Sequence, residues 1–176
     1  MAAAALILGV AWYLGVAGLL KLMALNRVVP STYLPWAASS AQKRCFIVGV
    51  SIAQVLGGVC VAVARDAWWT AACLGDIFLL ACACATEWIA LRSGWLNCGC
   101  FGHLSTNMQV TWGTVALDGT LVMGGMIAWR VSGVNHIGAH PTLLVEGVAL
   151  AVAMMMARVA LGQGRPQGGV VRRAER

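Results

Sequence analysis

Residues 95–103 read Trp-Leu-Asn-Cys-Gly-Cys-Phe-Gly-His. Two thiols, Cys98 and Cys100, flank one glycine, and His103 follows three residues on. Three chemistries fit this spacing: a redox pair, two ligands of a metal, or a turn that contains thiols without using them. Glycine beside each thiol lets the backbone take angles that other residues avoid. Two cysteines this close can close a very small ring, and strained, accessible disulfides tend to be labile or catalytic rather than structural. A cysteine attacks as the thiolate, which nearby positive charge favours. His103 and Arg92 are the local sources of such support, with an ordinary interfacial polar role as the alternative for His103. A structural zinc site takes four ligands. Cys98, Cys100 and His103 supply three, and nothing in the sequence requires Cys45 as a fourth, so no metal is assigned.

The chain has seven cysteines in all. Cys82 and Cys84 are two residues apart, a turn of about 200° on a helix. They cannot serve one site, which removes a four-cysteine cluster of Cys82, Cys84, Cys98 and Cys100. Cys60, Cys73 and Cys82 read as small buried hydrophobes. Cys45 and Cys84 are not assigned to that class, since both lie towards the face that bears the Cys-Gly-Cys loop.

Acids are the other informative residues. Of six carboxylates, Asp76, Glu87, Asp118 and Glu146 fall inside apolar stretches. Ionisable groups there normally face the interior of a helix bundle. Cys73, Asp76, Leu80, Cys84 and Glu87 follow helical spacing and share one face. Ser51, Gln54 and Gly58 form a second such face, and Thr111, Thr114 and Asp118 a third. One reading is interhelical hydrogen bonding; the other is a proton path or a polar pocket that tunes thiol chemistry.

These residues require membrane helices to position them. The 176 residues are 60% hydrophobic and 10% charged, with a mean hydropathy of +0.81. A soluble domain is nearer a quarter charged. A span needs about 20 apolar residues, and the pattern predicts spans over 2–24, 45–64, 68–91, 111–129 and 142–161. The fold class is therefore an all-α integral membrane bundle of four to five helices over 1–161, followed by a basic, disordered tail at 162–176. The span at 142–161 is the one in question, because it contains Glu146 and Arg158. Trp68, Trp69, Trp88, Trp95, Trp112 and Trp129 fall near span ends, as interface anchors should. The first span reads as retained rather than as a cleaved signal.

Arg27, Lys43 and Arg44 lie between the first two predicted spans, Arg92 after the third, and four arginines in the tail. The positive-inside rule then puts the Cys-Gly-Cys loop in the cytoplasm and the N-terminus outside. The net charge of +6 reads as topology and contact with anionic lipid, not as a nucleic-acid footprint. Neither a hydrolase arrangement of serine, histidine and acid nor a phosphate-binding glycine loop is present.

Cys98-Gly99-Cys100-Phe101-Gly102, set between two spans, resembles the motif of the MauE family of small membrane proteins from methylamine-utilisation clusters, related to the DoxX-like four-helix membrane proteins. Gly18-Leu19-Leu20-Lys21 resembles the family's Gly-x-x-Lys, and Ile77-Phe78-Leu79 its Phe-containing stretch before the loop. The likeness covers about residues 10–130. It departs at Gln54, where relatives often carry an acid, and in lacking an Arg-Asn pair near the fourth span. The resemblance implies a bacterial cytoplasmic (inner) membrane protein that supports maturation of a partner. Thiol–disulfide exchange would run between Cys98, Cys100 and a thioredoxin-like protein or a disulfide-bearing client. Lys21, Cys45, Asp76, Cys84, Glu87, His103 and Asp118 are the supporting or relay residues. A quinone is a candidate cofactor. Because the cytosol keeps thiols reduced, a cytoplasmic pair must draw electrons from a cytosolic donor and export them, or else the topology is inverted. Two other readings stand beside this one: a non-catalytic scaffold subunit, and a handler of a soft metal using thiols and Met154-Met155-Met156.

Overall fold

A computed structural model describes residues 2–31, 39–63, 66–94, 110–132 and 141–163. Every regular element among them is an α-helix: α1 (Ala2–Met23), α2 (Leu25–Ser31), α3 (Ser40–Val63), α4 (Asp66–Arg92), α5 (Trp112–Ser132) and α6 (Pro141–Gly162). Cys98, Cys100, His103 and Trp95, and the tail beyond Gln163, lie outside the described residues. Four helices, α1, α3, α4 and α6, are long and apolar enough to cross a membrane. The protein is thus an all-α, multi-pass membrane bundle. The questioned stretch at 142–161 is one of these four. α5 is not among them: besides Asp118 and Arg130, its 21 residues include Gly113, Gly119, Gly124 and Gly125. It nevertheless packs against α1, α4 and α6.

Each long helix starts and stops for local reasons. α3 opens on a capping box: Gln42 N donates to Ser39 Oγ, and Ser39 N donates to Gln42 Oε1, both at 3.2 Å. That box starts α3 five residues earlier than the apolar run alone predicts and puts Lys43 and Arg44 on its first turns. α5 opens on a similar pair, with Thr111 N donating to Thr114 Oγ1 (3.0 Å) and Thr114 N to Thr111 Oγ1 (3.2 Å). α4 ends at Arg92, and two residues on Gly94 has a φ of 76°, which glycine adopts without strain. The seven-residue α2 falls in what the apolar pattern reads as loop. It is described as far as Ser31, with Pro30 inside it; the missing N–H of Pro30 costs it the bond back to the Asn26 carbonyl.

α1 is the central post. Two-thirds (67%) of its most apolar window is inside the protein, against 28% for α3, 22% for α4 and 28% for α6. Small residues let its neighbours close on it. Gly18 backs onto the Ser51 carbonyl, Gly58 onto the Ala11 carbonyl, and Gly147 onto Leu8 Cβ. These contacts also fix direction. Ala11 beside Gly58 and Gly18 beside Ser51 make α1 and α3 antiparallel. Cys84 near Gly119 and Ile77 near Gly125 do the same for α4 and α5, and Gly113 near Leu161 with Asp118 on Arg158 for α5 and α6. The five long helices alternate in direction. The ends of α1, α4 and α6 and the beginnings of α3 and α5 therefore meet at one end of the bundle. The outer surface carries Phe46, Leu56, Val59, Trp68, Phe78 and Ile127 in the open, as a lipid-facing surface does.

Candidate functional site

The three predicted polar faces all turn inward. Ser51, Gln54, Cys73, Asp76, Leu80, Glu87, Thr114 and Asp118 are buried, and Cys84 is half-buried. What the faces surround is a residue read only as an obstacle to a span. Arg158 of α6 is 2% exposed. Its guanidinium divides between two helices, Nη1 donating to Asp118 Oδ1 of α5 and Nη2 to Glu87 Oε1 of α4. An always-charged planar fork can hold two carboxylates at once, which a lysine could not do as well.

The cluster extends to α1. The Tyr13 side chain hydrogen-bonds Asp118, and Lys21 acts on the same carboxylate electrostatically. Lys21 Nζ also donates to Gln54 Oε1 at 3.1 Å, which brings in α3. Two cations and two acids are thus gathered from four helices, with no net charge when all four are ionised.

Among the described thiols, Cys84 is the one on which the cluster acts. Its Sγ donates to the Val115 carbonyl at 3.6 Å, one turn before Asp118, and it senses both Asp118 and Arg158. Cys45 is exposed near the start of α3, a helix whose backbone does not closely approach α5 among the described residues. The two relay candidates are therefore not equivalent. Of the thiols read as buried, Cys73 is, but Cys60 and Cys82 are exposed on the outer surface of the bundle. Trp69 likewise departs from its expected place as an interface anchor and packs in the core. Met154 is buried, Met155 intermediate and Met156 exposed, the spread that consecutive positions on a helix impose. Among the described residues, no three His, Cys, Asp or Glu side chains gather as a metal site.

The stems of the Cys-Gly-Cys connection belong to the same region. The described residues on either side of it end at Gly94, just after α4, and resume at Val110, just before α5. Trp88 of α4 and Trp112 of α5 meet edge to face, centroids 5.0 Å apart, and the Arg92 guanidinium lies 5.1 Å from the Trp88 centroid. Thr111 Oγ1 donates to the Leu161 carbonyl at 3.1 Å, tying the start of α5 to the end of α6. Both stems are thereby anchored, with Glu87 and Asp118 less than three helical turns inside them.

The chain matches no family model, no curated protein and no solved structure.

Proposed function

We propose that the protein is a membrane thiol–disulfide redox protein whose Cys98–Cys100 pair serves the maturation or redox state of a partner. The observation that carries this reading is the setting of the pair. It occupies the connection between two anchored stems that also hold Cys84, Glu87 and Asp118. In one direction, the thiolate of one cysteine attacks a partner disulfide, breaks its S–S bond and forms a mixed disulfide. The second cysteine attacks that bond and releases the partner as a dithiol. Two electrons pass to the partner, and Cys98 and Cys100 are left as a disulfide; the opposite direction is the same exchange reversed. The partner class is a thioredoxin-like protein or a client with disulfides. The setting is a bacterial cytoplasmic membrane, with the pair on the side that carries Lys43, Arg44 and Arg92.

Maleimide labelling in intact cells tests this directly, using permeant and impermeant reagents with and without prior reduction. Labelling of Cys98 and Cys100 that depends on reduction supports a switchable disulfide, and the reagent that labels gives the side. Free thiols under every condition count against it.

The buried cluster favours one alternative, a non-catalytic scaffold subunit, since Arg158, Asp118 and Glu87 tie three helices together. Replacing both loop cysteines with serine separates the two readings. A partner that still matures identifies a scaffold.

A further inference from the structure

The fold handles Asp76 differently from the acids of the cluster. Asp76 lies eleven residues before Glu87, about 16 Å along α4. Its side chain is 3% exposed, yet neither carboxyl oxygen has a hydrogen-bond partner among the described residues. Burial without a partner is unfavourable for any polar group and most of all for an ionisable one in a membrane. α3 makes room for it all the same: a Cβ on Gly57 would overlap Asp76 Oδ1.

Asp76 lines a groove of about 430 Å³ between α3 and α4, together with Gly57, Cys60, Trp68, Gly75 and Phe78. Trp68 and Phe78 stand exposed on the outer surface, so the groove opens towards lipid. Its walls contain no arginine, lysine or histidine. Besides Asp76, its titratable group is the thiol of Cys60; Cys73 approaches Asp76 from the interior side.

We propose that this groove binds a lipophilic organic cation, with Asp76 as its counter-charge. Charge complementarity selects the ligand. A cation supplies the partner that the carboxylate lacks, and in apolar surroundings the attraction is screened little. Exposed indole and phenyl rings at the mouth attract the same charge through their faces. Apolar walls and a lipid-facing opening select a ligand that partitions into the bilayer over a hydrophilic one. A neutral acyl chain would fill the walls and leave the carboxyl unpaired. Asp76 lies 18 residues before Gly94 in the chain, and the proposal does not depend on the redox role of Cys98 and Cys100.

Tetraphenylphosphonium is a suitable probe. Its binding to the full chain in lipid nanodiscs can be followed by equilibrium dialysis and by quenching of tryptophan fluorescence, with empty nanodiscs subtracted. The expected result is saturable binding that weakens about tenfold or more in Asp76→Asn. Gly75→Leu provides the second variant. A Cβ at Gly75 meets nothing within 4 Å, so leucine enters the groove without disturbing the packing and should block binding even if Asp76→Asn does not fold. Uptake no greater than in empty nanodiscs overturns the proposal. So does equal binding by wild type and both variants, or equal competition by a neutral alkylbenzene of similar size.

Discussion

Arg158 makes the sharpest energetic statement in the molecule. A buried ion pair stabilises little compared with a well-packed apolar core, but removing one partner strands the others. Arg158→Met leaves Asp118 and Glu87 facing each other's charge without their shared cation. The expected loss is about 3–5 kcal/mol, seen as a large fall in the thermal midpoint of the protein in detergent. Adding Asp118→Asn and Glu87→Gln to Arg158→Met should restore part of it. An unchanged midpoint in the single variant would mean that the cluster does not hold the helices. The thiols give a second expectation at this scale. Because Cys84 touches α5 and Cys45 is exposed on α3, Cys84→Ala should alter the redox state of Cys98 and Cys100 in cells, and Cys45→Ala should not. If neither change has an effect, there is no relay. The inward face of α4 was legible in the sequence, since a helical period and a run of polar residues suffice to draw it. The part played by Arg158 was not legible. Its partners lie 40 and 71 residues away, and one sequence carries no record of such pairing.

At the scale of the elements, small residues decide how closely α1 is enclosed. A Cβ at Gly58 would lie 2.8 Å from the Ala11 carbonyl oxygen, and backbone cannot move aside as a side chain can. Gly58→Leu should therefore push α3 from α1 and lower stability by about 1–3 kcal/mol. Gly49→Leu, on the same helix, meets nothing within 4 Å and should be neutral or slightly stabilising through its higher helix propensity. Thermal unfolding of the two variants side by side gives the comparison, and similar losses in both would remove the close-packing argument. Helix existence was readable here because apolar runs of this length have few alternatives. The side of each helix was harder to read. Lipid and protein interior are both apolar, so Cys60 and Cys82 on the outside look the same in sequence as Cys73 on the inside. The start of α3 was also misplaced by hydropathy, although Ser39 and Gln42 spell out its capping box.

For the whole molecule, the decisive element is α5, the long helix that is not among the four apolar enough to cross a membrane. Its contacts place it antiparallel to both α4 and α6. At about 1.5 Å per residue its 21 residues cover about 31 Å, the thickness of a hydrocarbon core. Asp118 does not bar a crossing, because Arg158 and Tyr13 satisfy it inside the bundle and Arg130 lies in the last turn of the helix. A chain that crosses five times must put Ser93, after α4, and Gln163, after α6, on one side of the membrane. Val131, near the end of α5, and Ala67, at the start of α4, must then lie on the other. Single cysteines at these four exposed positions, in a chain otherwise free of cysteine, can be labelled with an impermeant maleimide in intact cells. Ser93→Cys and Gln163→Cys should behave alike, and opposite to Val131→Cys and Ala67→Cys. With Lys43, Arg44 and Arg92 gathered at the first end, the protected pair should be Ser93→Cys and Gln163→Cys. If those two label from opposite sides, α5 does not cross. The loop with Cys98 and Cys100 would then begin and end on the same side as Ser93, but α6 would run the other way. Such a chain could not keep α5 antiparallel to α6, the arrangement in which Arg158 meets Asp118.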